Sequence, residues 1–253
     1  MPIPESKNSS HAQDCAIFLA GGSGRRMAGR VGDKVLAPLC GVPVVAHSVR
    51  AFAESGVAGT AIFVCRDNDQ RRAIEEILAA ENLLGRFAKI MFCHGGKERG
   101  DSVLNGLKCA RAATVAAENL AFIHDCARPL VAAGLLRELA EVARREGAAV
   151  LAHRCVNTVK RVPAGLVAGT ACVAEDLERD RLWEMETPQV FPLGKILQAY
   201  EKTAAGNLRF TDDVSVFSHA LGGKVAFVEN PTTNPKITVP TDLALAEILL
   251  RQQ

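Results

Sequence analysis

Hydrophobic positions along this chain gather into short unbroken runs that alternate with longer stretches of helical pattern. The runs at 16–19, 60–65, 89–93, 120–124 and 148–152 are apolar or β-branched, and polar or glycine-bearing residues follow each of them. That is the pattern of strands buried on both faces. Helices are expected between them at 43–54, 69–84, 100–113 and 132–146. The alternation predicts the α/β class, with a mainly parallel twisted sheet flanked by helices and right-handed crossovers.

The rhythm changes after residue 152. The segment Val156 to Val162 is followed by Pro163-Ala164-Gly165 and then by Leu166 to Val173. Proline followed two residues later by glycine suits a type I turn, so a protruding β-hairpin arm is expected at about 155–178. A lone hairpin is marginal in water, so the arm must pack on something, either its own domain or a second subunit. Trp183 reads as core. The regular pattern returns with helices at 193–204 and 212–221, a strand at 225–228 and a short strand at 236–239. A last helix is expected from Thr241, with that threonine as its N-cap.

Candidate chemistry concentrates just after the strands, where open α/β sheets place ligands. The first run ends at Ala20-Gly21-Gly22-Ser23-Gly24, and the cations Arg25, Arg26, Arg30 and Lys34 follow. A strand ending in a glycine-rich loop brings backbone N–H groups close to an anion, here a phosphate or nucleotide. No Gly-Lys-Ser/Thr follows, so this is not a Walker A loop, and Met27 stands where a dinucleotide fingerprint needs its third glycine.

Five further groups lie in similar places. Gly95 and Gly96 precede a helix whose opening turn holds Ser102. His124-Asp125-Cys126-Ala127-Arg128 follows a strand. There Asp125 suits a hard cation such as Mg²⁺ and Arg128 a phosphate, although a capping Asp paired with Arg would read the same. Arg179 precedes Trp183 and is an ordinary surface arginine unless the arm brings it to a phosphate. Thr211-Asp212-Asp213 reads first as a helix cap. Lys236 opens the short strand, where an edge lysine is equally ordinary.

Composition narrows the partners. The 253 residues suit one large α/β domain and need neither disulfides nor metal for stability. A net charge of +2 without long like-charged blocks argues against nucleic acid. Eight cysteines without a Cys-x-x-Cys read as reduced buried thiols. Residues 1–14 are polar and lack a signal-peptide core, and no 18-residue apolar run occurs. A disordered extension over 1–14, a single domain over 15–253, a cytoplasmic location and no membrane contact are therefore expected.

The whole run from 16 to 250 resembles the 2-C-methyl-D-erythritol 4-phosphate cytidylyltransferase family of the non-mevalonate isoprenoid pathway. The resemblance rests on the glycine loop with Lys34, Arg99…Asp101-Ser102-Val103…Gly106-Leu107, His124-Asp125…Ala127-Arg128-Pro129, Thr187-Pro188-Gln189 and Lys236…Thr241-Asp242-Leu243. It implies a Rossmann-like nucleotidyltransferase fold and cytidylyl transfer from CTP to a polyol phosphate with Mg²⁺ or another divalent cation. By position, Ala20, Gly21, Gly22, Gly96 and Ser102 would cradle CTP. Arg26 and Lys34 would hold the triphosphate, and Asp125 would serve the metal. Thr158, Arg179, Thr211, Arg128 and Lys236 would face the polyol phosphate. The arm would embrace a second copy in a homodimer.

The chain departs from the usual pattern at Leu19 and Gly21, at Asp33 and Val35 around Lys34, and at Lys97, Cys126 and Asn157. Pro235 also removes a backbone donor beside Lys236. Ribitol 5-phosphate as acceptor, or an inactive nucleotide-binding homologue, are the competing readings.

Overall fold

The computed structural model describes residues 13–22, 32–206 and 208–252. In chain order its elements begin β1 (Cys15–Leu19), β2 (Pro38–Leu39), β3 (Val42–Pro43), α1 (Val44–Ser55), β4 (Thr60–Cys65), α2 (Asn68–Ala80) and β5 (Lys89–His94). There follow α3 (Arg99–Ala112), β6 (Leu120–Asp125), α4 (Ala133–Glu146), β7 (Ala149–Arg154), β8 (Lys160–Arg161) and β9 (Glu175–Asp176). The chain continues through β10 (Trp183–Pro192), α5 (Leu193–Ala205), α6 (Asp213–Leu221), β11 (Ala226–Glu229) and α7 (Pro240–Leu250).

Seven strands form one sheet in the order β11-β7-β10-β6-β1-β4-β5. Its pairs are parallel except where β10 runs antiparallel between β7 and β6. The α/β, mainly parallel reading is therefore correct, and the sequence missed β10. Pro188 and the acidic residues Glu184 and Glu186 argue against a central strand there. The ladder with β7 slips between Met185 and Gln189, and Pro188 falls inside that irregularity. A bulge absorbs the proline and turns the backbone locally.

Period-two alternation sorts the sheet into two cores. Ala16, Phe18 and Phe63 pack with α1 and α4 residues such as Phe52 and Leu139. Cys15, Ile17, Leu19 and Val64 pack with Leu107 of α3 and with Ile196 and Phe217 of α5 and α6. Helices thus cover both faces, which is why the strands read as continuous apolar runs rather than alternating ones.

Parallel register then sets the site. Leu19 lies opposite both Val64 and Asp125, and Cys65 lies opposite His94. The carboxyl ends of four strands meet at one edge.

Three boundaries differ from expectation. Asp14, placed by the sequence in the extension, is buried: it accepts from Leu120 N–H at 2.8 Å and pairs with Arg144. No regular strand forms at 236–239, where Pro235 and Pro240 flank a segment tied to the turn after β6 by Ile237 N–H to Ala127 O at 2.8 Å. Thr241 is not the N-cap, because α7 already begins at Pro240. Asp242 Oδ2 instead accepts from Thr238 N–H, Thr238 Oγ1 and Val239 N–H, closing the entry turn.

The arm forms with a shorter ladder than expected. Lys160 pairs with Asp176 and Arg161 with Glu175. Leu166 N–H bonds Pro163 O at 3.3 Å with Gly165 at φ +77°. A positive angle at the third position belongs to a type II turn rather than type I.

Candidate active site

A cavity of about 520 Å³ opens where β1, β4, β5 and β6 end. It brings together Ala20, Gly21, Gly22, Lys34, Gly96, Ser102, Asp125 and Lys236, all singled out in the sequence. Arg26 lies outside the described residues, as do Arg25 and Arg30.

The loop leaving β5 is folded onto the first turn of α3. Ser102 Oγ accepts from Gly96 N–H at 3.0 Å and donates to Glu98 O at 3.1 Å. Asp101 Oδ2 accepts from Glu98 N–H at 3.1 Å. A Cβ on Gly96 would stand 2.2 Å from Asp101 Cβ, so this approach requires glycine. Ser102 thus serves the shape of the loop. The end of β1 also differs from the simple picture of free amides. The Ala20 and Gly21 N–H groups both bond Val64 O, at 3.1 and 3.0 Å, so neither amide faces the cavity.

Cations and one carboxylate dominate the opposite wall. Lys236 Nζ donates to Asp125 Oδ2 at 2.6 Å. Lys34 Nζ donates to the next carbonyl, Ile237 O, at 2.9 Å. Arg99 Nε stands 3.6 Å from Asp125 Oδ1, and the Arg99 guanidinium grips Asp213 with two bonds of 2.9 and 2.8 Å. Burial alone would raise the Asp125 pKa. Arg99, then Lys236, outweigh it and hold the carboxyl well below its usual range.

Beneath this wall lies a polar chain. Asp125 N–H donates to Thr187 Oγ1 at 3.1 Å, Thr187 meets His124 Nδ1 at 3.2 Å, and His124 Nε2 meets Arg128 O at 3.2 Å. These partners assign a neutral imidazole with its proton on Nε2. Burial lowers the His124 pKa from 6.5 to about 4. A depressed folded-state value means this stability is complete above pH 6.5 and is lost as the pH falls toward 4. The expected loss is about 3 kcal/mol at the acid end of that window. Urea unfolding across the window, with imidazole NMR of His124, checks this. A His124 midpoint near 6.5 would contradict it.

A family model for 2-C-methyl-D-erythritol 4-phosphate cytidylyltransferase matches residues 15–252. The chain belongs to this family. Its similarity to the Shouchella clausii protein of that name is 37% identity over 94% of this chain and 96% of that one. The Oryza sativa chloroplastic member is 35% identical over 94% of this chain and 74% of its own length. Among solved structures, the Francisella tularensis 2-C-methyl-D-erythritol 4-phosphate cytidylyltransferase superposes with a TM-score of 0.72. It is 26% identical, over 93% of this chain and 99% of that one. The Anaerococcus prevotii 4-diphosphocytidyl-2C-methyl-D-erythritol synthase superposes with a TM-score of 0.76 at 24% identity, covering 94% and 97% of the two chains.

The remaining positions suggested by the family resemblance are spread more widely. Thr211 lines a neighbouring cavity of about 640 Å³, reached across Lys97, Glu98 and Arg99. Arg128 lines a third cavity of about 630 Å³ that meets the first at Lys236. Its guanidinium donates to Asn234 O at 2.7 Å and so braces the segment carrying Lys236. Thr158 and Arg179 are exposed on the arm and at its base, and neither lines these cavities.

Sequence reasoning assigned no role to Arg99, Asp213, Gln189 or Thr187. Gln189 Oε1 accepts from the Asp213 and Val214 N–H groups at 2.9 and 3.0 Å, and Tyr200 OH donates to Asp213. The usable signal was the triplet at 211–213, where two acids stand and one cap suffices. Asp212 is that cap, accepting from Ser215 N–H at 3.0 Å.

Among the described residues no group of three or more His, Cys, Asp or Glu side chains forms a metal cage. Asp125 supplies one carboxylate, and its Oδ1 lies beyond hydrogen-bond distance of Arg99. Such a sparse donor set suits Mg²⁺, which takes one or two carboxylates and completes its shell with water and substrate phosphates.

Proposed function

We propose that this chain transfers a cytidylyl group from CTP to 2-C-methyl-D-erythritol 4-phosphate, releasing pyrophosphate, in isoprenoid precursor synthesis. The observation that carries the proposal is the meeting of Lys34, Lys236, Arg99 and Asp125 at one cavity in a chain of this family.

A phosphate oxygen of the acceptor attacks the α-phosphorus of CTP. A new P–O bond forms, the bond to the bridging oxygen breaks, and pyrophosphate leaves with the electron pair. Reactions of this kind need positioning and charge neutralisation more than covalent help. Lys34, with Arg26, offsets charge on the triphosphate and on pyrophosphate. Ala20, Gly21, Gly22, Gly96 and Ser102 shape the CTP cradle. Lys236 exchanges part of its contact with Asp125 for the acceptor phosphate. Mg²⁺, when bound beside Asp125, neutralises phosphate oxygens.

The reading includes a single nucleotidyltransferase domain over 15–253 and a homodimer through the arm at about 155–178. Val156, Val167 and Val173 on that arm are 73%, 69% and 90% exposed, which favours burial against a second copy. Thr158 and Arg179 would then meet the partner's acceptor site, with Thr211 and Arg128 completing it from their own chain. The eight free cysteines suit a reducing compartment such as the cytoplasm. Among the described residues no helix is long and apolar enough to cross a membrane.

Pyrophosphate release with CTP and Mg²⁺ tests the reading, with methylerythritol phosphate and ribitol 5-phosphate in parallel and sedimentation of the same sample. Release is expected only with methylerythritol phosphate, from a dimer, and chelation should stop it. Release only with ribitol 5-phosphate would replace the acceptor. Binding of CTP without release would leave an inactive homologue. A fully active monomer would remove the arm from the mechanism.

A further inference from the structure

Lys34 has a flexible four-carbon stem, so its aim depends on how firmly its backbone is held. The residues holding it converge on one buried amide. Gln70, 1% exposed, lies in the first turn of α2. Its Oε1 accepts from Arg66 N–H at 2.7 Å, and its Nε2 donates to Ala20 O at 3.0 Å and to Asp33 Oδ2 at 2.6 Å. One side chain thereby ties together the ends of β1 and β4 and the turn that carries Lys34.

Asp33 is held a second time. Arg66 Nη1 donates to the same Oδ2 at 3.1 Å and to Gly22 O at 3.4 Å. Asp33 Oδ1 accepts from Val35 N–H at 3.1 Å, on the far side of Lys34. The Val35 carbonyl in turn accepts from Val45 N–H at 2.9 Å. Lys34 is therefore fixed from both flanks, and the charge-assisted bonds to Asp33 are the strong members of the set. With its oxygens committed to Arg66, Gln70 and Val35, Asp33 does not compete for the cation beside it.

We propose that Asp33, clamped by Gln70 and Arg66, is a positioning residue that aims Lys34 at the triphosphate. The inference rests on the reading of Lys34 given above. Preorganised charge is effective only when held near the productive geometry, and this clamp is where the fold supplies that rigidity.

The test is a double-mutant cycle at saturating acceptor, comparing wild type, Asp33→Ala, Lys34→Ala and the double variant, each assayed well below its melting temperature. Asp33→Ala is expected to lower kcat/KM for CTP by about 10- to 100-fold. Added to Lys34→Ala, it should cost less than about threefold more, because a residue acting through Lys34 has nothing left to aim. A merely structural role would lower the melting temperature and leave the rate of folded protein unchanged. An Asp33→Ala rate within threefold of wild type, or fully multiplicative losses in the double variant, would overturn the clamp. If Lys34→Ala itself keeps the wild-type rate, the reading of Lys34 fails first. Should Asp33→Ala not fold, Asp33→Asn keeps the shape and serves in the same cycle. It should show a smaller loss with the same non-additivity, and multiplicative losses would again overturn the clamp.

Discussion

Lys34→Ala is expected to fold normally and to lose at least about a hundredfold in turnover, because one preorganised charge contact is typically worth ~3–4 kcal/mol in the transition state. The side chain is only half-buried, and its bond of 2.9 Å goes to the backbone oxygen of Ile237. Losing a charged donor to that carbonyl costs about 1.5–3 kcal/mol of stability. The two quantities therefore separate. Activity should collapse while the melting temperature moves by several degrees, and steady-state kinetics beside calorimetry would read both. A loss confined to KM for CTP would mean that Lys34 binds the ground state and the transition state equally. A near-normal kcat and KM would remove it from the site. Lys236 offers a contrast, since its removal also leaves Asp125 without its bond of 2.6 Å, so stability and activity should fall together there.

The parallel strands were legible because burial on both faces writes itself as unbroken apolar runs, and strand ends then marked where ligands gather. Lys34 and Asp125 stood out on that logic, whereas Lys236, 111 residues from Asp125, took its role from the family resemblance. What the sequence hid is of two kinds. Local rules misled at β10, where Pro188 breaks the strand pattern and the bulge that accommodates it carries Thr187 to the backbone of Asp125. They misled again at Ala20 and Gly21, whose amides continue a backbone ladder to Val64. Pairings without local signature were invisible. Arg99 and Asp213 lie 114 residues apart, and nothing in either segment names the other. Arg128 read as a phosphate clamp because it follows a strand beside an aspartate. Its guanidinium also donates to Asn234 O, under the loop that presents Lys236, while its buried Nε has no partner among the described residues.

That unread pair carries the second large effect. Asp213→Ala is expected to destabilise the fold by about 3–5 kcal/mol, the usual result of leaving one partner of a buried ion pair uncompensated. Asp213 is 0% exposed and accepts two bonds from Arg99 and one from Tyr200, so its removal orphans several donors at once. Arg99 keeps 28% of its side chain exposed, which lets water recover part of the loss and places the effect toward the lower end. For a chain of this length that corresponds to a melting temperature lower by about 6–12 °C. Asp212 provides the internal control, since it too is an acid opening α6 but serves only as a cap with bonds to Ser215 N–H and Gln189. Asp212→Ala should cost about 1 kcal/mol. Equal losses from the two variants would mean that the Arg99 pair is worth no more than a cap. A large loss at Asp213 alone would show that α6 is fastened to α3 through this charge.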